Sequence, residues 1–330
     1  MASFGVLRLN KPTHPSKQYL FMKKLFFGLF LALGAMVFTT SCDDSDDAEV
    51  NTIYTLLVET PELSSLRAAV DRADLKSVLD DPDAALTVFA PTNAAFATLL
   101  GGATLESVPV DDLKNILLNH VISGKVKSTD LTTGYVSSLL TYKNTTIPLS
   151  LFVNLASGVV INDATVTTAN VEADNGVVHI VNKVIVAPTV VNHALNNPNF
   201  SSLVAALTRS DLGVDYVGLL SGAGPFTVFA PTNAAFTALL AELGGIGLAD
   251  VPAATLNAVL QYHVVNNANV RSGDLVDEQV VTTFGGSTFR VDLTGGAKII
   301  DGQNRTSNII VVDVQGSNGV VHAIDKVLLP

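Results

Sequence analysis

Among its 330 residues the chain has one cysteine and no tryptophan. A single cysteine excludes an intrachain disulfide framework and any cysteine-cluster metal site. With aromatic residues at 6% and tryptophan absent, a stacking platform for sugars would have to be built from Tyr and Phe. Positive charge is scarce as well. Arg8, Lys11, Lys17, Lys23 and Lys24 all precede Cys42 and no acidic residue does, so from Cys42 onward 14 basic residues face 30 acidic ones, a net of −16. Such a surface repels phosphate backbones and anionic headgroups, which argues against nucleic acid as a partner.

Catalytic signatures are missing too. There is no Gly-x-Ser-x-Gly elbow, no phosphate loop ending in Gly-Lys-Ser/Thr, no dinucleotide glycine fingerprint and no cysteine nucleophile within the folded part. Gly244-Gly245-Ile246-Gly247, Gly285-Gly286 and Gly295-Gly296 lack those contexts and read as loops. The acidic stretches Asp80-Asp81-Pro82-Asp83 and Asp111-Asp112 lack the glycine-broken spacing of a calcium loop and read as solvated helix ends. These absences point away from an enzyme and imply no cofactor or metal.

What is present begins with one long apolar run. Lys23-Lys24 followed by the 14 residues Leu25–Phe38 has the charged start and apolar core of a secretory signal, too short to span a bilayer comfortably. On this reading translation starts at Met22 and residues 1–21 are an upstream extension. The run leads through Thr39-Thr40-Ser41 into Cys42, and here it resembles a bacterial lipoprotein signal, with Thr39 where leucine is usual; that resemblance implies lipidation of Cys42. Asp43-Asp44-Ser45-Asp46-Asp47 follows as an acidic tether over residues 42–50. It is similar to the export signal after the lipidated cysteine of Bacteroidetes surface lipoproteins.

The rest of the chain is a duplication. Thr87-Val88-Phe89-Ala90-Pro91-Thr92-Asn93-Ala94-Ala95-Phe96 returns as Thr227-Val228-Phe229-Ala230-Pro231-Thr232-Asn233-Ala234-Ala235-Phe236. A β-branched and aromatic run predicts a strand, proline ends the ladder, and Thr-Asn caps a helix whose buried face continues through Leu99-Leu100 and Leu239-Leu240. Pro61–Val70 matches Pro198–Leu207 as a helix, and Leu113–Val121 matches Leu256–Val264 as a helix running into a histidine. Asn175-Gly176 and Asn318-Gly319 are hairpin signals, each ahead of a strand carrying His179 or His322. The domains are thus residues 51–188 and 190–330, with so short a linker that they should touch. Helices gather early and strands late in each repeat, which predicts an α+β fold rather than a doubly wound parallel sheet.

With those boxes in the same order twice, the sequence resembles the fasciclin family of FAS1 domains. The resemblance implies a β-sandwich wedge with helices along one side in each repeat, and an extracellular role in adhesion or matrix contact. It also implies a partner-binding Tyr-His pair, kept as Tyr262-His263 in repeat 2 and replaced by Asn119-His120 in repeat 1. The residues themselves say less. His179 shares a strand face with Val177 and Val181, and His322 with Val320 and Ile324, so both read as core histidines bonded to backbone rather than metal ligands. The sequence thus predicts a lipid-anchored outer-membrane protein, exposed at the cell surface, that binds an extracellular protein or matrix through its repeats. The alternative is a glycan-binding accessory lipoprotein of a polysaccharide uptake system.

Overall fold

The structure, a computed structural model, describes residues 50–330; the apolar run, Cys42 and the acidic stretch after it lie outside the described residues. Repeat 1 runs α1 (Ile53–Glu59), α2 (Ser64–Arg72), α3 (Lys76–Leu79), β1 (Leu86–Pro91), α4 (Asn93–Leu100), α5 (Val110–Asn119), β2 (Val121–Ser123), β3 (Gly134–Thr141), β4 (Pro148–Asn154), β5 (Val160–Ile161), β6 (Ala164–Ala173) and β7 (Gly176–Val181). Repeat 2 keeps the order: α6 (Val190–Asn196), α7 (Ser201–Leu207), α8 (Tyr216–Leu220), β8 (Phe226–Pro231), α9 (Asn233–Glu242), α10 (Ala253–Tyr262), β9 (Val264–Asn266), β10 (Val280–Thr282), β11 (Thr288–Asp292), β12 (Lys298–Ile300), β13 (Thr306–Gly316) and β14 (Gly319–Ile324).

The doubled decapeptide forms the strand, corner and helix that its chemistry dictates. β1 pairs antiparallel with β2 and parallel with β7. One face of β1 and β7 (Val88, Ala90, Val178, Ile180) packs against the helices, among Ile53, Leu66, Phe96 and Leu113. Their other face (Phe89, Val181) joins Leu151, Val153 and Ile161 inside the strand layer. Strands buried on both faces read as continuous apolar runs, which is why Thr-Val-Phe-Ala shows no alternation. At the corner Thr92 Oγ1 accepts from Ala95 N (3.2 Å) and Thr232 Oγ1 from Ala235 N (3.3 Å), satisfying helix-start donors. The helical face is narrower than its periodicity suggests, since α4 buries Ala95 and Phe96 but leaves Leu99 exposed.

The two strand layers differ in closure. In repeat 1 the ladder returns to its start, β1-β2-β3-β4-β5-β6-β7, as a closed barrel joined between β2 and β3 by the pair Ile122↔Ser138. Repeat 2 has the order β10-β11-β12-β13-β14-β8-β9, and β9 does not pair with β10.

No free linker separates the repeats. Thr189 is the N-cap of α6, with Asn192 completing a capping box. On β3 and β4, Tyr135, Ser150 and Phe152 point out of the barrel and are covered by repeat 2. The Tyr135 ring lies edge-on to His193 on α6 (centroids 5.7 Å apart), its hydroxyl accepts from Asn197 Nδ2 (3.1 Å), and Gln315 N on β13 donates to Ser150 Oγ (3.0 Å). Burial pushes the Tyr135 hydroxyl up to about 12. The domains therefore meet over an aromatic and hydrogen-bonded joint.

Candidate functional site

The sequence-selected residues divide into those that build the scaffold and those that face water. Tyr262 and His263, together with His120, belong to the first group. These residues are 1%, 3% and 1% exposed, so in this structure the pair that the resemblance marks for partner binding is enclosed in the core. His263 lies at the C-terminus of α10, where its Nδ1 bonds the Val259 carbonyl (2.7 Å) and its Nε2 accepts from Leu328 N (2.9 Å). His120 does the same at the end of α5, with the Ile116 carbonyl (2.7 Å) and Ile185 N (2.8 Å). Each ring ties a helix to the closing segment of its repeat, and burial pushes both imidazoles down to about 4, leaving them neutral near pH 7.

Tyr262 inserts its ring among Phe289, Val291 and Ile299 of the strand-side core, and its hydroxyl donates to the Thr288 carbonyl on β11 (2.7 Å). Its counterpart Asn119 is shorter and reaches a nearer strand: Asn119 Nδ2 donates to the Ile185 carbonyl (2.9 Å) and its Oδ1 accepts from Ser138 on β3 (3.2 Å). The contrast between Asn119 and Tyr262 thus follows how each strand layer is closed.

His179 and His322 are fixed as neutral rings by opposite partners on their two nitrogens. Nε2 of each bonds a loop carbonyl, Val126 (3.0 Å) or Val270 (2.9 Å), and Nδ1 accepts from Asn170 N or Asp313 N (3.3 Å each). Each stacks on the decapeptide phenylalanine beside it, Phe89 or Phe229. Thr87 and Thr227 anchor the same loops: Thr87 Oγ1 donates to Gly124 O and accepts from Val126 N, as Thr227 does with Ala268 O and Val270 N. Asn93 and Asn233 reach back to the starts of α2 and α7, accepting from Ser65 N (2.8 Å) or Ser202 N (2.9 Å) and donating to Pro61 O or Pro198 O just before those helices.

The Asn-Gly boxes are built differently from the hairpin their dipeptide suggests. The two-residue loops are Asp174-Asn175 and Ser317-Asn318, none of which has a positive φ. The asparagine instead clamps the repeat: Asn175 Oδ1 accepts from Ile53 N (2.7 Å) and its Nδ2 donates to Leu79 O and Asp81 O, while Asn318 serves Val190 N, Leu220 O and Gly222 O. Glycine follows because the neighbouring strand passes too close for a side chain. A Cβ at Gly176 would lie 2.3 Å from the Leu86 carbonyl oxygen, and one at Gly319 2.1 Å from that of Phe226.

With the buried boxes assigned to scaffold, binding capacity falls on the surfaces. Two apolar voids of about 20 Å³, beneath His120 and beneath His263, have room for about one water and not for a ligand. Repeat 1 opens a cleft of about 600 Å³ between the β2–β3 loop and β3, with Ile122, Val126 and Leu131 on its wall and Ser123, Thr132, Ser137, Thr141, Thr146 and Asp130 around them. Repeat 2 exposes aliphatic side chains at one end: Ile310, Val311 and Val312 are 53%, 39% and 44% exposed, and Val276 is 60% exposed. Alternation would hide every second residue of such a run. Two register shifts between Ile309 and Val314, with Asp313 at φ 61°, turn all three outward. In sequence these contiguous aliphatics read as a buried strand, which conceals their exposure. The signal available was the comparison of repeats, since repeat 1 carries Thr167-Thr168-Ala169 at the same bulge, before the left-handed Asn170. Among the described residues no three His, Cys, Asp or Glu side chains are grouped to hold a metal ion, and no helix is long and apolar enough to cross a membrane.

A family model for the fasciclin domain matches residues 61–187 and 198–330. The chain is 32% identical to transforming growth factor-beta-induced protein ig-h3 of Sus scrofa, over 79% of this chain and 37% of that protein. It is 31% identical to periostin of Homo sapiens, over 74% of this chain and 28% of that protein. It thus spans about a third of the length of these relatives. Among solved structures it is similar to a FAS1 domain pair from the insect cell adhesion molecule Fasciclin I, with a TM-score of 0.51, 22% identity, and coverage of 81% of this chain and 97% of that one. The chain belongs to the fasciclin family, as two FAS1 domains in tandem.

Proposed function

We propose that this protein is a lipid-anchored adhesion or binding protein that holds an extracellular protein or matrix component at the cell surface and carries out no chemistry of its own. The observation that carries the reading is the division of the molecule. Every histidine of the repeated boxes is buried, neutral and bonded to backbone, whereas the two repeats diverge on exposed surface at the aliphatic end of repeat 2. Exposed aliphatic patches on a soluble domain mark contact with another molecule. The similarity to a domain pair from a cell adhesion molecule supports the same reading.

Anchoring rests on Cys42 and its flanks, with the acidic stretch after it as a tether to the outer-membrane surface, in the manner of Bacteroidetes lipoproteins. Palmitate labelling of the full chain tests it: incorporation should vanish in Cys42→Ala, and persistent incorporation would remove the anchor. Binding is tested by displaying the chain on a non-adherent cell and measuring attachment to matrix-coated surfaces. Attachment no greater than that of undisplayed cells would overturn the adhesive reading.

A second reading, glycan capture for a polysaccharide uptake system, has one observation in its favour. The cleft of repeat 1 is rimmed by hydroxyls and the Asp130 carboxylate, suited to hydrogen-bonding a polyol. No aromatic ring is among its lining residues to stack on a sugar face, so it ranks second. A glycan array probed with the full chain separates the two.

A further inference from the structure

Three loops converge at one end of repeat 2. Leu293 N donates to Asp277 Oδ1 (2.8 Å), Ile309 N donates to the Ala297 carbonyl (3.0 Å), and Ser272 N donates to Asp313 Oδ1 (2.7 Å). These bonds bring the segment after β9, the β11–β12 turn and the β13 bulge to the same edge. Each contributes exposed aliphatic side chains: Val276 from the first, Leu293 from the second, Ile310, Val311 and Val312 from the third. The corresponding residues of repeat 1 are Thr132, Leu155, Thr167, Thr168 and Ala169, so four of the five aliphatics are particular to repeat 2.

Charge around this patch is unbalanced. The nearby cations are already engaged, Arg271 with Asp313, Arg290 with Glu278 and Lys298 with Asp292. Asp274 and Asp277 accept only backbone N–H groups there, from Arg271 and Leu293. An aliphatic centre with a surplus of carboxylate at its rim selects an apolar segment flanked by positive charge. A second copy of this chain would bring the same acidic rim, and anionic lipid would be repelled by it.

We infer that the β13 bulge of repeat 2, with Val276 and Leu293, is a docking surface for a partner protein segment that has an aliphatic core flanked by lysine or arginine. This rests on the reading of the protein as an extracellular binding protein and names where, and for what chemistry, it binds. The bulge is rigid enough to serve: Asp313 is held by Ser272 N, Ser272 Oγ and the His322 contact to its own N–H, so binding need not order it first.

The probe is a fluorescein-labelled synthetic peptide with a Val-Ile-Val core flanked by lysines, titrated against the full chain by anisotropy, beside the same core flanked by glutamates. The test variant installs the residues of repeat 1, I310T/V311T/V312A, which the same bulge already accommodates. Expected is saturable binding of the lysine-flanked peptide, weakened roughly tenfold or more in the variant, with an unchanged melting curve and far weaker binding of the glutamate-flanked peptide. Equal binding of both peptides, undiminished binding in the variant, or no binding overturns the inference. So does self-association that the variant abolishes, which would make a second copy the occupant, or binding to neutral phosphatidylcholine vesicles that the variant abolishes. Cell attachment run in parallel separates the two levels: attachment retained by the variant removes this site and leaves the adhesive reading standing, whereas no attachment by the unmodified chain removes the reading itself.

Discussion

The two repeats bury the same motif residues in the same bonds and are unlike in the aliphatic surface they show. Thr87 and Thr227, His120 and His263, Asn175 and Asn318, His179 and His322 make the same bonds at the same places. At the β6 and β13 bulges, by contrast, Thr-Thr-Ala faces Ile-Val-Val, and only one strand layer closes. A buried polar group keeps its partners because losing one leaves the other unsatisfied, at about 1–3 kcal/mol. Exposed positions carry no such constraint. Text repeated inside this tandem protein therefore reports the fold, while divergence occurs both in buried supports such as Asn119 and Tyr262 and on exposed surface such as the β13 bulge.

The strongest way to break that symmetry is at the close approach of parallel strands. Gly319→Ala places a methyl carbon on the Phe226 carbonyl, and Gly176→Ala does the same at Leu86. Each should destabilise its own repeat by more than about 4 kcal/mol, seen in chemical denaturation as loss of one repeat's transition. A cost below about 1 kcal/mol would show that the two strands can separate.

Acid should distinguish the repeats next. Burial holds His120, His193 and His263 down to about 4 in the folded chain, against about 6.5 when unfolded. The unfolded chain takes up these protons first. The associated stability is fully present above about pH 6.5 and is lost as pH falls from there through the folded values, on the order of 3 kcal/mol per histidine. His193 has no counterpart in repeat 1, where Leu56 stands four residues after the N-cap threonine, and its Nδ1 has no hydrogen-bond partner among the described residues. Repeat 2 should therefore unfold at higher pH than repeat 1 in an acid titration followed by amide NMR. His193→Leu should narrow the gap, and an unchanged gap would assign the difference to other groups.

A smaller effect is expected from Tyr262→Phe. Removing the hydroxyl that donates to Thr288 O should lower the stability of repeat 2 by about 1 kcal/mol and leave partner binding untouched. Binding lost at full stability would restore Tyr262 as a contact residue.

Much of the fold was legible because its signals are local. The strand of the decapeptide and the Thr92 and Thr232 caps depend on neighbours a few residues away, and the tandem arrangement shows as the same text repeated 140 positions on. The burial of Tyr262 and His263 was not, because it is created by Leu328 and Thr288, far along the chain. Nor was the exposure of Ile310–Val312, since hydropathy marks those residues for a core and only the double register shift of β13 turns them out. The roles of Asn175 and Asn318 fell between the two. The dipeptide announces a turn, but its asparagine is retained for three bonds to segments that sequence spacing does not connect.

Whether partners meet the aliphatic end of repeat 2 or the Tyr-His pair is read by amide hydrogen exchange of the full chain with and without the lysine-flanked peptide. Docking at the β13 bulge should add protection over residues 275–279, 293–297 and 309–313, with no change along α10 or in repeat 1. Protection centred on Tyr262 and His263, or on the cleft between β2 and β3, would contradict it.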